Sequence, residues 1–306
     1  MKYEYIGKSN LKASRLALGL MRLNTKTVNE AKEIIKTALA SGINFFDHAD
    51  IYGDGECEII FGKAIKELNI NRSDYYLQSK VGIRPWFSYD FSKEHILKSV
   101  DEILIRLDTP YLDSLLLHRP DMLWEPEEIK EAFEILKSSG KVRNFGVSNM
   151  NQDQISYLQS KLDFPIIANQ LQFSIMHADL VSNSVYVNTN LKKEGYHAIG
   201  LIDYLREHNI TIQAWSPFQY GFFEGVFVDN EKFPKLNETL EKIAKKYGVT
   251  KTSISVAWIN RHPAKIQTIV GTMTPSRIKE CAQGIDINLT KEEWYEIYLA
   301  SGNKLI

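Results

Sequence analysis

Eight apolar runs of strand length alternate with stretches whose apolar residues recur at helical spacing, and this pattern restricts the chain to a parallel sheet with crossover helices. The runs fall at residues 16–18, 43–46, 75–79, 112–117, 144–147, 166–171, 211–214 and 266–270. Between them, one helical stripe each is traced by Ile35, Ala38 and Leu39; by Ile96, Val100, Ile103, Leu104 and Leu107; by Ile129, Phe133 and Leu136; by Ile202 and Leu205; and by Ile254, Ala257 and Trp258. Gly42, Gly140 and Asn209 stand where three of these helices must end, at the left-handed position after the last turn. Eight strands predict closure into a (β/α)8 TIM barrel, α/β in class, over residues 1–306 as one domain. A hairpin turning at Gly7-Lys8-Ser9-Asn10 is expected before the barrel and extra helices at the C-terminal end. An open dinucleotide-binding sheet would need G-x-G-x-x-G after its first strand, where this chain has Leu18-Gly19-Leu20-Met21-Arg22-Leu23.

Composition narrows the partners. Lys plus Arg number 37 and Asp plus Glu 38, a net charge of −1, so composition suggests no basic face and gives no support for a nucleic-acid or anionic-lipid partner. Hydrophobic residues make up 44% of the chain, enough for a sizeable core, yet no apolar run nears the roughly 20 residues that span a bilayer. Met1-Lys2-Tyr3-Glu4 lacks the pattern of a secretory signal, and a cytoplasmic location is expected. Cys57 and Cys281 are read as reduced, unpaired thiols. The polar, aperiodic stretch 174–196 has the length of a lid or binding loop, and a shorter aromatic loop, 218–227, carries Gly221 and Gly225 as possible hinges.

Three strand-like runs end at ionisable side chains: 43–46 runs into Asp47 and then Tyr52, 75–79 into Lys80, and 112–117 into His118. The C-terminal strand ends of such a barrel converge on one rim, so these four groups should meet there. Tyr52 ordinarily titrates near 10. A neighbouring Lys80 ammonium would favour its ionised form, Asp47 would hold that ammonium, and His118 would orient a substrate oxygen. Without an activated Ser or Cys, the set suits protonation of an alkoxide forming as hydride reaches a carbonyl carbon, with the hydride coming from a cofactor.

The chain also resembles the aldo-keto reductases along nearly its whole length. Their D-x-A-x-x-Y-G-x-x-E signature is read here as Asp47, Ala49, Tyr52, Gly53 and Glu56, their lysine in Gln78-Ser79-Lys80-Val81-Gly82, and their histidine in Leu116-Leu117-His118-Arg119-Pro120-Asp121. Gly146-Val147-Ser148-Asn149, Asn169-Gln170, Trp215-Ser216-Pro217-Phe218 and the stretch from Gly271 to Glu280 resemble their cofactor-binding segments in the same order. The resemblance implies catalysis by Tyr52, Asp47, Lys80 and His118. It implies cofactor contacts from Gly19, Met21 and Arg22 and from Ser148, Asn149 and Gln170. Further contacts are expected from Trp215, Ser216, Pro217, Phe218, Gln219 and Gly221, with Gly271, Thr272, Thr274, Arg277 and Glu280 gripping the adenosine end. NADP(H) is the cofactor expected first, through Arg277, with NAD(H) possible. Gly271 stands where the family commonly has a lysine, which should weaken that preference, and Cys281 replaces its usual Asn.

The expected partner is a small carbonyl substrate, with His48, Trp86, Phe87 and Met122 as candidate pocket walls, while Asp113 and Asp121 are read as structural. Two competing functions remain. A barrel metallohydrolase could use Asp47, His48, Asp50 and His118, but no H-x-H pair follows the first strand. A cofactor-binding regulatory subunit on the same scaffold is the other. Physiological substrate and oligomeric state are not legible in the sequence.

Overall fold

A computed structural model of the chain describes residues 1–84, 88–183 and 199–305. Its eight barrel strands are β1 (Leu16–Gly19), β2 (Phe45–Asp47), β3 (Tyr76–Val81), β4 (Ser114–Leu117), β5 (Phe145–Ser148), β6 (Ile166–Gln172), β7 (Thr211–Trp215) and β8 (Gln267–Val270). They pair in parallel in sequence order, and β8 closes the ring by aligning Thr268, Ile269 and Val270 with Leu16, Ala17 and Leu18. The expected barrel is present. Strand ends differ from the sequence reading: β2 runs through Asp47, β3 runs past Lys80 to Val81, and Leu112 forms only a single bridge to Val142 ahead of β4.

Alternation along each strand divides the core in two. Leu16, Leu18, Phe46, Leu115 and Leu117 face outward and pack under the helices, whereas Ala17, Phe45, Leu116, Ala168 and Ile269 face inward and fill the barrel floor. The N-terminal hairpin (Tyr3–Tyr5 with Lys12–Ser14) adds Ile6, Leu11 and Ala13 to that floor. Gly7 makes this plug possible. Its φ is 51°, and a Cβ there would lie 2.3 Å from the Ile167 carbonyl oxygen. With one mouth sealed, the opposite rim is left for chemistry.

The helices are α1 (Val28–Ala40), α2 (Glu56–Leu68), α3 (Lys93–Arg106), α4 (Pro126–Ser138), α5 (Gln152–Gln159), α6 (Asp179–Ser182), α7 (Leu201–Glu207), α8 (Pro234–Tyr247), α9 (Lys251–Asn260), α10 (Pro275–Gly284) and α11 (Lys291–Ala300). The five stripes read from sequence are α1, α3, α4, α7 and α9. Capping boxes start α1 at Thr27 with Glu30, α5 at Asn151 with Gln154, and α11 at Thr290 with Glu293. Gly42, Gly140 and Asn209 have φ of 82°, 74° and 54°, the left-handed stops anticipated for them. In α9 every residue from Ser253 to Asn260 is buried, so no polar face survives. Trp258 of α9 stacks on Trp294 of α11 at 4.8 Å, each indole N–H donating to the other's backbone carbonyl. That pair fastens the expected C-terminal extension to the barrel. Both cysteines are free and buried. No helix among the described residues is long and apolar enough to cross a membrane.

Candidate active site

Asp47 is the last residue of β2, and the chain then turns tightly to present Tyr52. The turn needs glycine: Gly53 and Gly55 have φ of 57° and 87°, and a Cβ on Gly53 would lie 2.8 Å from the Asn24 side chain. On β3, Tyr76, Gln78 and Lys80 occupy alternate positions, and the last two point to the barrel axis, where Lys80 is fully buried. Its ammonium donates to Asp47 Oδ2 at 2.7 Å, to the His48 carbonyl at 2.7 Å and to the Tyr52 hydroxyl oxygen at 3.3 Å. All three ammonium protons are thereby engaged. The Tyr52 oxygen accepts from Lys80, so its own O–H remains available to donate. The His118 ring meets Tyr52 edge-on at 6.0 Å, and its Nδ1 has no hydrogen-bond partner among the described residues. The four groups expected on the rim do converge.

Electrostatics give each group a definite charge. Burial lowers Lys80, but the Asp47 carboxylate, Tyr52 and their hydrogen bonds outweigh it and hold the amine above its ordinary value, so it is an ammonium. Burial raises Tyr52; Lys80 pulls it down while Asp47 adds to the rise, and the net shift is upward. Lys80 favours the ionised phenol as expected, but desolvation outweighs the ammonium, and Tyr52 rests as a neutral phenol. Burial, then Lys80 and Arg119, drives His118 well below its usual range, so the imidazole is neutral.

Beneath Asp47 lies a layer of glutamines of which the sequence reading singled out only Gln170, and that as a cofactor contact. Gln78 and Gln170 donate to Asp47 Oδ1 at 2.7 and 3.0 Å, and both donate to Gln213 Oε1, at 2.9 and 3.3 Å. Gln213 in turn donates to Gln267 Oε1 at 2.8 Å, and Ser114 donates to Gln78 Oε1 at 2.9 Å. Amides from β3, β6, β7 and β8 thus fill a layer that barrels usually pack with branched apolar side chains. The signal was there in polar residues at inward-facing strand positions. A second omission is Glu58. The signature acid was read at Glu56, which is exposed; Glu58 is fully buried and accepts from Ser79 Oγ at 2.8 Å and Arg106 Nε at 2.7 Å. It ties α2 to the strand that carries Lys80.

Some candidate pocket residues move elsewhere. His48 is fully buried against Phe61 (ring centroids 4.8 Å), and burial with Lys80 drives its imidazole down to about 3. It therefore supports the turn through its carbonyl and offers no surface to a substrate. Met122 is 90% exposed, standing in solvent rather than in a wall. Trp86, Phe87 and residues 184–198 of the long connection lie outside the described residues. Asp113 is structural as read, accepting from Arg72 at 2.7 Å and from the Leu77 N–H at 2.9 Å. Among the described residues no three His, Cys, Asp or Glu side chains converge as metal ligands would.

Against known proteins, residues 15–300 match the aldo/keto reductase family. The chain belongs to that family. It is 35% identical over 304 residues to an uncharacterized oxidoreductase of Bacillus subtilis, covering 95% of both chains, and 31% identical to a 6-dehydroglucose reductase of Novosphingobium aromaticivorans, covering 98% of this chain and 95% of that one. A thermostable aldo-keto reductase crystallised with the inhibitor epalrestat superposes with a TM-score of 0.79 at 26% identity, covering 98% of this chain and all of that one. The protein is an oxidoreductase of the aldo/keto reductase family, on the (β/α)8 fold.

In this aldo/keto reductase the residues expected to grip a cofactor line the strand ends around the four-residue centre. Trp215 ends β7 half-buried, and its indole N–H donates to Asn149 Oδ1 at 3.2 Å, which fixes the ring. Asn149, at φ 57°, also donates to the His118 carbonyl, while Ser148 Oγ donates to the Gln170 carbonyl at 2.9 Å. Ser216, at φ 51°, turns the chain over buried Pro217 into Phe218 and Gln219. Asn169 turns to the other face of β6 from Gln170 and donates to the Met150 carbonyl at 2.8 Å. Gly221 has φ 57° at the turn of a small hairpin that pairs Gln219–Tyr220 with Gly225–Val226. After β8, Thr272 Oγ1 accepts from the Thr274 N–H, Glu280 accepts from Thr250 Oγ1, and Arg277 is exposed. Gly19 lies under this region, where a Cβ would meet Ile269 at 2.9 Å, and Met21 beyond it is 41% exposed. Arg22 reaches across to donate to the Gly271 carbonyl from Nη2 at 2.6 Å and Nε at 3.2 Å. The position that lacks the family's lysine therefore receives a guanidinium from the loop that follows β1.

Proposed function

We propose that this aldo/keto reductase reduces aldehyde or ketone groups of small molecules to alcohols, and runs the reverse oxidation, with NADP(H) preferred over NAD(H). The observation that carries this reading is the Lys80 ammonium held between the Asp47 carboxylate and the Tyr52 hydroxyl oxygen. When bound, the nicotinamide cofactor supplies hydride to the carbonyl carbon. Tyr52 donates its proton to the carbonyl oxygen as negative charge develops there, and its raised pKa keeps that proton available at neutral pH. Lys80 stabilises the phenolate left behind and Asp47 keeps Lys80 charged. Neutral His118 donates to the same oxygen without competing as an acid. Trp215 provides a flat face for the nicotinamide, and Ser148, Asn149 and Gln170 hold its amide. At the adenosine end the exposed guanidinium of Arg277 meets a 2′-phosphate, with Arg22 beside Gly271 restoring the second cation.

The test is cofactor oxidation followed at the reduced-nicotinamide band over a panel of aldehydes and ketones. Wild type should turn over, while Tyr52→Phe should lose about 100-fold or more in kcat and keep its affinity for the cofactor. A near-normal kcat in Tyr52→Phe would sink the mechanism.

A further inference from the structure

We propose that Arg119 selects carbonyl substrates that carry an oxyanion, a carboxylate or a phosphate, by pairing with it at the catalytic rim. The inference rests on the carbonyl-reductase reading above and goes on to name the substrate class. Arg119 follows His118 directly and is half-buried. Its guanidinium carbon lies 5.6 Å from the Trp215 ring centroid and 5.8 Å from that of Phe222. Tyr52 and Tyr89 are near enough to act on its charge. It thus stands between the proton donor and the ring proposed to carry the nicotinamide. A carbonyl whose carbon receives hydride from one side and whose oxygen receives a proton from the other must sit beside it.

What distinguishes Arg119 from the other partly buried arginines is its lack of an acceptor among the described residues. Arg72 pairs with Asp113 at 2.7 Å, Arg106 with Glu58 at 2.7 Å, and buried Arg15 donates to the Asn260 and Ile266 carbonyls. Among the described residues, no carboxylate, carbonyl or hydroxyl accepts from the Arg119 guanidinium, which touches only aromatic rings. A partly desolvated cation with five unused N–H donors is costly unless something occupies them. Its planar fork matches a carboxylate or phosphate edge. The rings of Trp215 and Phe222 hold the fork by cation–π contact without filling its donors. Phe222, 64% exposed, leaves that side open to an arriving molecule. An anionic group on the substrate would complete the set.

The experiment compares kcat/KM within two matched pairs, 4-oxobutanoate against butanal and glyceraldehyde 3-phosphate against glyceraldehyde, for wild type, Arg119→Met and Arg119→Lys. Cofactor affinity is measured alongside by fluorescence titration and folding by thermal melt. In at least one pair the wild type should favour the anionic member by about tenfold or more, the effect of one charge-assisted contact; the pair concerned tells carboxylate from phosphate. Arg119→Met should collapse that ratio toward unity, chiefly through KM, and Arg119→Lys should keep part of it because the charge remains. Turnover of the neutral aldehydes with no charge preference in either pair overturns this inference alone. So does a preference that survives in Arg119→Met, or a loss of cofactor affinity with the ratio unchanged, which would assign Arg119 to the cofactor. Turnover of neither member of either pair overturns the reductase reading and this inference with it.

Discussion

Gln78 donates to Asp47 Oδ1 at 2.7 Å from inside the barrel, directly across the carboxylate from Lys80, which donates to Oδ2 at the same distance. With Gln170 on Oδ1 as well, the carboxylate cannot rotate away from the ammonium without breaking buried hydrogen bonds. Gln78→Leu keeps the volume but removes a donor from Asp47 and Gln213 and an acceptor from Ser114. The expected cost is about 2–3 kcal/mol of stability, from unsatisfied buried polar groups, together with a fall in kcat as Lys80 loses its fixed partner. Urea unfolding and steady-state kinetics on the same preparation check this. An unchanged unfolding midpoint would mean that the amide layer is dispensable.

Lys80→Met removes the group that pulls Tyr52 downward, leaving burial and Asp47 to raise it further. On the proposed mechanism reduction draws on the protonated phenol, so the alkaline limb of its pH–rate profile should move to higher pH. The rate itself should fall about 100-fold or more. An alkaline limb that stays in place in the residual activity would show that Lys80 does not tune the proton donor.

If both meet the 2′-phosphate as proposed, Arg22 and Arg277 should make separable contributions to cofactor choice. Arg277→Ala and Arg22→Met should each weaken NADPH binding by about tenfold or more while sparing NADH by comparison, since each removes one charge-assisted contact to the extra phosphate. Titrating both cofactors against both variants reads this directly. Equal loss for the two cofactors in Arg22→Met would place that guanidinium on the shared pyrophosphate instead.

His48 gives the protein an acid-sensitive core. Its folded pKa, about 3, lies below the unfolded value near 6.5, so below pH 6.5 the unfolded chain takes up a proton that the folded chain refuses. Stability is therefore lost as pH falls from 6.5 toward 3, at about 1.4 kcal/mol per pH unit for this group alone. His48→Leu, which keeps the contact with Phe61, should flatten the melting-temperature profile between pH 6 and 4. Parallel profiles for variant and wild type would count against it.

Much of this was legible beforehand because barrel strands announce themselves by apolar runs and turn residues. The four residues proposed to be catalytic were legible because three strand-like runs end at Asp47, Lys80 and His118, and Tyr52 follows the first of them within one turn. Local pattern could not reveal which polar residues face the barrel axis: Gln78, Gln213 and Gln267 look unremarkable until closure points them at one another. The same blindness left Glu58 unread two residues past Glu56, although Glu58 is the acid that is buried and bonded to Ser79 and Arg106. His48 and Met122 looked like pocket walls from their places beside the catalytic residues. In the structure one ring turns inward to Phe61 and the other side chain turns out to solvent.

The sequence by itself determined the barrel, its eightfold order and the residue types at its rim, since hydrophobic periodicity and turn chemistry act over a few residues at a time. Only the tertiary structure decided their charges and partners. Tyr52 is a neutral phenol because burial outweighs a neighbouring ammonium, a balance no spacing encodes. Arg22 reaches the Gly271 carbonyl across 249 positions of chain, and Gln78 meets Gln213 across 135, because closure of the ring makes neighbours of distant strands. Proximity of that kind is a property of the closed barrel, and the chemistry at its rim depends on it.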